Sequence, residues 1–216
     1  MLPSEKMKSL LLALVVVPCL SIAQAFEPPA NSTLLLEEDF SVETLPKGWS
    51  VQTGTWETKD GALHGAEIEA DHHAAAARRL VETKDAVYEL KFRINEGTKG
   101  FHFGFDPARG ELEKRGHLFS VIVTPTDWRL LKHIDKDKPK EDPNEILAIA
   151  EHNFEPGKWH HLRVTTRGTS VTAQIEGIEP LTAEHPTFSV RKPTLVFRVS
   201  GTGVEVDEVR VWETAE

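Results

Sequence analysis

The sequence predicts an all-β domain of two packed layers, and three observations carry that prediction. Apolar and polar side chains alternate along several short segments, most clearly at 87–94 and 101–106, as they do on strands with one buried face. Thirteen prolines and fourteen glycines separate these segments and favour turns between them. The sequence shows neither a sustained helical period nor a repeat array. Many short strands with frequent turns indicate a sandwich or a barrel.

The stretch from 87 to 106 shows the alternation in its clearest form. Apolar side chains occupy positions 88, 90, 92 and 94, and phenylalanines occupy 101, 103 and 105. Because Gly97 and Gly100 suit a chain reversal, we expect an antiparallel strand pair at the centre of a β-sandwich, with the phenylalanine side in the core. The other side would face solvent or a ligand-binding cleft, and its members are Glu89, Lys91, Arg93, His102 and Asp106.

The first residues are typical of an export signal. Two lysines precede an apolar run at 10–20, and a small-x-small motif follows at 23–25, as signal peptidase requires. The run is too short to span a bilayer comfortably. We therefore expect 1–25 to be a signal peptide, translated from Met1 or Met7, and a periplasmic or secreted mature chain of 191 of the 216 residues.

Cysteine usage and charge exclude several classes of protein. Cys19 is the one cysteine and lies in the expected signal, so the mature chain would have no disulfide, no thiolate nucleophile and no cysteine-ligated metal. The formal net charge is −9, and removal of the signal takes away one positive charge to leave −10. Such an acidic chain is poorly suited to nucleic acid or anionic membranes, and a neutral ligand is expected.

The remaining segments divide into an arm and one domain. Residues 26–32 are expected to form a flexible N-terminal arm, and 33–214 a single domain that starts with a strand at 33–40. Asp60-Gly61 separates two short apolar segments and predicts a tight hairpin with a type I′ turn. Segment 71–80 is ambiguous, because its propensity favours a helix although strands flank it. Further strands are expected at 116–124, 128–134, 146–150, 159–166, 171–176, 195–199 and 204–212.

The last strand changes phase along its length. Val204 and Val206 occupy even positions, whereas Val209 and Val211 occupy odd ones. One extra residue near 207–208 would keep all four valines on the same face, so we predict a β-bulge there.

Five motifs occur in an order that is similar to one known family. They are Gly48-Trp49, Trp56 with Asp60-Gly61-Ala62-Leu63, Tyr88-Glu89-Leu90-Lys91-Phe92-Arg93, Gly157-Lys158-Trp159-His160-His161-Leu162-Arg163-Val164, and Val206-Asp207-Glu208-Val209-Arg210-Val211-Trp212. Over about 36–213 the chain resembles the 3-keto-disaccharide hydrolase family, in its exported, planctomycete-type members. The resemblance implies a concanavalin A-like jelly-roll β-sandwich of two antiparallel sheets, with a strand at 71–80.

The resemblance also implies cleavage of glycosides whose sugar carries a ketone at C3. The ketone acidifies the C2 proton, a base removes that proton, an electrophile holds the enolate, and the leaving sugar departs before water adds back. Histidine suits the role of base near neutral pH. The candidate bases or metal ligands are His72, His73, His102 and His117, and Arg93 is the candidate that steadies the oxyanion.

Other polar and aromatic residues are candidates for binding the sugar. His102 and Asp106 lie about 13 Å apart on an extended strand, and His133 and Asp135 about 7 Å apart on one face. His117 begins the neighbouring segment and could approach His102. Trp128 follows a turn and is expected to be the most exposed tryptophan. The candidate substrate-binding residues are Lys91, Asp106, Trp128, His133 and Asp135.

Acidic residues near the two ends of the domain suggest a structural metal. Asp207 would join Glu38 or Asp39 in a calcium site between the first and last strands, since oxygen ligands suit calcium. Glu205 and Asp207 also alternate as the acids of laminarinase-type enzymes do, but Val209 stands where the series would continue. A retaining carboxylate pair is therefore not supported. No histidine spacing matches a zinc signature.

Three functions remain open on the sequence alone. The chain is a hydrolase or lyase acting on 3-keto-glycosides, a non-catalytic glycan-binding module, or a structural protein of the cell envelope without a small ligand. Carbohydrate is the expected partner in the first two. The second is favoured by two departures from the family, since Gly104-Phe105-Asp106 and Phe119-Ser120-Val121 replace segments that commonly hold an arginine and a carboxylate.

Overall fold

The computed structural model describes residues 26–215, and nearly all of its regular elements are strands. In chain order they are β1 (Ser32–Glu38), β2 (Trp49–Thr53), β3 (Thr55–Lys59), β4 (Ala62–Ala66), β5 (Ala75–Thr83), β6 (Ala86–Ile94), β7 (Thr98–Asp106), β8 (Phe119–Val123), β9 (Asp127–Lys132), β10 (Glu145–Glu151), β11 (His160–Arg167), β12 (Ser170–Ile175), β13 (Leu181–Glu184), β14 (Lys192–Gly201) and β15 (Val204–Thr214). Two short 3₁₀ helices span Glu69–Asp71 and Pro186–Ser189. Neither they nor any other helix between residues 26 and 215 is long and apolar enough to cross a membrane.

The strands form two antiparallel sheets packed face to face. The eight-stranded sheet runs β13-β12-β11-β6-β15-β4-β3, with β1 added beside β15, and the seven-stranded sheet runs β10-β9-β8-β7-β14-β5-β2. Rings from the two sheets meet in the core, where Tyr88 lies 4.7 Å from Phe105 and Phe92 lies 5.5 Å from Phe101 between centroids. The predicted all-β sandwich is thus confirmed, and its phenylalanine side is dry.

The prediction that β6 and β7 pair with each other is wrong. β6 pairs with β11 and β15, whereas β7 pairs with β8 and β14. The chain crosses from one layer to the other at the Asn95–Gly97 corner, so the two strands face each other across the core. Alternation shows which side chains turn inward but not which strand is the neighbour, because strands in either layer present the same pattern.

Two local predictions are confirmed. Asp60 and Gly61 adopt φ of 52° and 74° between β3 and β4, as a type I′ hairpin requires. The register of β15 against β6 shifts between Asp207 and Arg210, and Glu208 at the bulge has φ of 47°. The bulge keeps Val206 and Val209 both fully buried.

The ambiguous segment 71–80 is mainly a strand. A single 3₁₀ turn ends at Asp71, His72 adopts a left-handed conformation, and β5 begins at Ala75. β5 lies between β14 and β2, and its inward-facing alanines are fully buried. Pairing on both sides outweighs the helical propensity of the alanine run.

The described chain begins with a packed aromatic residue. The Phe26 ring lies 4.7 Å from the His161 ring, and the Arg163 guanidinium lies 4.5 Å from the Phe26 centroid. The flexibility expected for 26–32 stays a prediction. The expected signal peptide at 1–25 and both candidate start methionines lie outside the described residues.

Candidate functional site

Three histidines converge on the outer face of the seven-stranded sheet. His102 lies on β7 between two core phenylalanines, so it points away from the core. His117 precedes β8, and His133 follows β9. Since these three strands are neighbours, the rings approach one another, with 5.3 Å between the His117 and His133 centroids.

Asp106 holds His117 in one orientation. The Nδ1 of His117 lies 2.6 Å from Oδ1 of Asp106, while Arg78 Nε and Thr194 Oγ1 donate to Oδ2 at 2.9 and 3.1 Å. Burial disfavours the charged carboxylate, but the bonds and charges of His117 and Arg78 outweigh it and lower the pKa of Asp106. An anionic Asp106 that accepts the Nδ1 proton leaves the lone pair of His117 on Nε2.

The other two histidines are neutral near pH 7. Burial, reinforced by nearby positive charge, lowers the pKa of His102 to about 4 and that of His133 to about 3. His133 Nε2 shares a 2.7 Å hydrogen bond with Ser120 Oγ. His102 Nδ1 has no hydrogen-bond partner within residues 26–215. The site therefore combines two uncharged imidazoles, those of His102 and His133, with one anchored carboxylate.

Arg198 supplies positive charge beside these rings. It lies directly opposite His102 on β14. Burial, together with repulsion from Arg78, lowers the pKa of the Arg198 guanidinium, which remains charged because an arginine pKa starts above 12. No carboxylate in the described part of the chain forms an ion pair with it, whereas Arg78 is paired with Asp106. Arg198 is thus available to an electron-rich group of a ligand.

A pocket of about 340 Å³ opens over this cluster, which we call the histidine site. This volume lies at the lower end of the range that is usual for small-molecule pockets. The residues that line it and also carry charge or an imidazole are His73, Arg78, His117, His133, Lys136 and Arg198. These charged and imidazole groups suit a ligand rich in hydroxyl and carbonyl groups.

Two of the predicted site residues lie on the far side of the molecule. Arg93 and Lys91 project from the outer face of the eight-stranded sheet, where Arg93 pairs with Glu205 at 2.5 Å and Lys91 pairs with Glu208. The expectation that they act together with His102 is wrong, because β6 and β7 belong to different sheets. The whole core separates the two groups.

Trp128 and Asp135 also differ from expectation. Trp128 is fully buried, because the alternation of β9 turns it inward, and the prediction that it is the most exposed tryptophan is wrong. Asp135 is 2% exposed and accepts backbone N–H bonds from Arg115 and Asp137, each at 3.0 Å. These two hydrogen bonds, of which the one from Asp137 has the larger effect, lower the pKa of Asp135. They also hold the loop that contains Asp135 in place.

The two consecutive histidines after Asp71 lie in different surroundings. His72 caps the 3₁₀ turn in the left-handed conformation and is exposed. His73 is also exposed but lines the histidine site. Of the candidate bases, His73, His102 and His117 therefore lie at one face, together with the candidate binders Asp106 and His133.

Sequence reasoning missed Arg78, Ser120 and Arg198. Phe197 points into the core, so the next residue, Arg198, points outward. Its position beside His102 follows only from the pairing of β7 with β14, which the sequence does not show. Gly104 was not recognised either. A β-carbon at that position would come within 2.3 Å of Ser120 Oγ, so the missing side chain makes room for the Ser120–His133 bond.

The expected calcium ligands have partners of their own. Glu38 Oε1 pairs with Arg79 at 2.9 Å, Asp39 accepts from Ser41 N at 3.1 Å, and Asp207 accepts from Glu208 N at 2.6 Å. Between residues 26 and 215, no three His, Cys, Asp or Glu side chains form a group that could hold a metal ion. Calcium binding there stays a prediction.

The two antiparallel sheets define a concanavalin A-like jelly-roll β-sandwich. The chain is similar to a GH16 non-specific endo-β-1,3(4)-glucanase (12% identity, TM-score 0.64, 88% of this chain and 94% of that chain). It is also similar to the laminarinase from Rhodothermus marinus (11%, 0.64, 86% and 98%) and to the carbohydrate-binding module CBM66 from Bacillus subtilis (14%, 0.53, 80% and 94%). At such low identity these similarities establish the fold alone. No protein-family model matches the sequence, and neither does any curated protein.

Proposed function

We propose that the chain is an exported carbohydrate-active enzyme that cleaves 3-keto-glycosides at the histidine site. The observation that carries the proposal is the 2.6 Å contact between His117 Nδ1 and Asp106. It gives the pocket an oriented imidazole base with its lone pair on Nε2, in the manner of carboxylate-oriented histidines in other enzymes. The GH16 and CBM66 folds among the similar structures favour carbohydrate as the ligand class.

The proposed reaction is an elimination followed by hydration. His117 Nε2 takes the C2 proton, and the C–H electrons form an enolate whose negative charge rests on the C3 oxygen. The enolate then re-forms the ketone as a C1–C2 double bond appears and the C1–oxygen bond breaks. The protonated His117 returns its proton to the departing sugar oxygen, and water adds across the double bond to give the free 3-keto sugar.

Stabilisation of the enolate charge is assigned to Arg198 in place of Arg93. Its guanidinium carries no ion-pair partner in residues 26–215 and lies on the strand beside His102. A positive charge fixed next to developing oxyanion charge stabilises the transition state more than the ground state. His133 lines the pocket and is neutral because burial lowers its pKa to about 3, so it adds a hydrogen-bonding group without competing charge.

The test is incubation of the purified protein with a 3-keto-glucoside bearing a chromogenic leaving group. We expect release of the leaving group, together with exchange of the C2 proton for deuterium in deuterated water. His117→Gln should lower kcat/KM by about 10²- to 10⁴-fold, the usual contribution of a general base. Arg198→Met should lower kcat more than it raises KM.

His64→Gln is the matched control. His64 is a partly exposed histidine on the eight-stranded sheet, where its Nε2 lies 3.6 Å from Glu205, and its replacement should leave the rate unchanged. Wild-type protein that neither releases the leaving group nor exchanges the C2 proton, with and without added calcium, would rule out the enzyme. Equal rates for His117→Gln and wild type would rule out His117 as the base.

A non-catalytic glycan-binding module is the second candidate. It is favoured by the likeness to CBM66 and by Asp106, which is engaged by three donors and is not paired with a second carboxylate in the manner of retaining glycosidases. Saturable binding of unoxidised glycans at the histidine site, without turnover of the 3-keto-glucoside, would identify this function.

A further inference from the structure

The outer face of the eight-stranded sheet carries a second polar pocket, of about 450 Å³. Two rows of side chains cross the strands beneath it. One row joins His161 of β11, Lys91 of β6 and Asp207 of β15 in direct register, and the other joins Arg93 of β6 to Glu205 of β15. Because these residues alternate with core residues along each strand, all five side chains project to the same side.

Trp159 forms one wall of this pocket. It immediately precedes β11, is 38% exposed, and is the most exposed of the five tryptophans. The Arg93 guanidinium lies 4.8 Å from its ring centroid and pairs with Glu205. An indole held against a salt bridge is a rigid apolar plate beside hydrogen-bonding groups.

Several polar atoms around the pocket lack partners within residues 26–215. They include Arg93 Nε, Glu176 Oε1 and His161 Nε2. His161 is only 7% exposed, and its Nε2 lies 3.6 Å from Glu89 Oε2, beyond hydrogen-bond distance. Buried polar groups are normally hydrogen-bonded, so these atoms indicate a ligand or water that supplies the missing bonds.

We propose that this pocket, which we call the Trp159 site, binds a neutral pyranose of a glycan chain. The apolar face of the sugar ring would lie on the indole, and its hydroxyls would bond to Glu176, Arg93 and Asp207. Its lining holds four carboxylates, those of Asp60, Glu176, Glu205 and Asp207, against the two cations of Lys91 and Arg93. This acidic excess favours an uncharged ligand over an anion. The Trp159 site and the histidine site would bind the same class of ligand, but they lie on opposite faces of the sandwich.

The test measures binding of neutral glucose hexasaccharides linked β-1,3, β-1,4 or α-1,4 by calorimetry and tryptophan fluorescence. We expect saturable binding of at least one of them, with a change in the emission of the exposed indole. Trp159→Ala should weaken that binding at least about tenfold, since an aromatic side chain that a ligand covers typically supplies much of the binding energy. Trp159→Phe should retain part of it.

His117→Gln serves as the control from the other face and should bind the hexasaccharide as wild type does. Trp159→Ala should also turn over a soluble 3-keto-glucoside at the wild-type rate, so failure of one site is distinguishable from failure of the other. Binding that survives Trp159→Ala in a folded protein, binding that His117→Gln abolishes, or no saturable binding of any hexasaccharide at millimolar concentration overturns the proposal.

Discussion

Gly104 of β7 lies directly opposite Ser120 of β8, and a β-carbon on residue 104 would come within 2.3 Å of the serine hydroxyl. The same hydroxyl bonds to His133 Nε2 at 2.7 Å. The histidine site therefore depends on the absence of a side chain at position 104.

Gly104→Ala should destabilise the fold by about 1–3 kcal/mol, the usual cost of overpacking. The added methyl displaces Ser120 and breaks its bond to His133, and it also meets Phe119 O at 3.2 Å. Urea unfolding measures the loss. Gly100→Ala on the same strand is the control, because a β-carbon there meets nothing closer than 3.8 Å. Equal stability of the two variants would contradict the steric argument.

Asp106→Asn should lower the unfolding free energy by about 1.5–3 kcal/mol, the worth of hydrogen bonds to a charged group. It should also change the tautomer of His117, because an amide accepts the Nδ1 proton less strongly than a carboxylate. Nitrogen chemical shifts of the imidazole report the tautomer directly. Asp127→Asn, which removes a carboxylate paired with Arg129 on the same sheet, should leave the His117 signals unchanged.

Acid should destabilise the protein before most carboxylates titrate. Burial lowers the pKa of His102 from 6.5 to about 4, so between these values the unfolded chain binds a proton that the folded chain excludes. Stability is therefore lost as pH falls from about 6.5 to about 4, by about 3 kcal/mol for His102 at 1.36 kcal/mol per unit. His133 acts in the same direction, since its pKa is lowered to about 3.

Unfolding free energies measured at about pH 7, 6, 5 and 4 check this dependence. His102→Leu should make the curve less steep over that range, because leucine binds no proton in either state and only the contribution of the other buried histidines, such as His133, remains. His64→Leu, at a partly exposed position, should leave the slope as it is in wild type. A slope that persists unchanged in His102→Leu would contradict the argument.

Trp128→Ala should cost about 3–5 kcal/mol, as large aromatic truncations in a core do. Trp128 is fully buried, whereas Trp159 is 38% exposed. Trp159→Ala should therefore cost no more than about 1 kcal/mol, the usual worth of an exposed cation–π contact such as the one with Arg93. Thermal and urea unfolding of the two variants side by side test the placement of both residues. A similar loss in both would contradict the assignment of Trp128 to the core and Trp159 to the surface.

The sequence predicted the parts of this protein that depend on neighbouring residues. Alternation identified the core faces of β6 and β7, Asp60-Gly61 identified a hairpin, and the phase change of the valines identified the bulge near 207–208. Each of these rests on backbone geometry within a few residues. The same reasoning failed for Trp128, because a preceding turn does not show which way the next side chain faces.

The tertiary structure alone decided which polar residues share a site. His102, Asp106, His117 and His133 come together with Arg78 and Arg198 because β5, β14, β7, β8 and β9 are neighbours in one sheet. Arg93 and Lys91, close to His102 in sequence, are placed on the other face because the chain changes layers at Asn95–Gly97. Local pattern fixes whether a side chain points inward or outward, but strand pairing over long sequence separations fixes which outward face it joins.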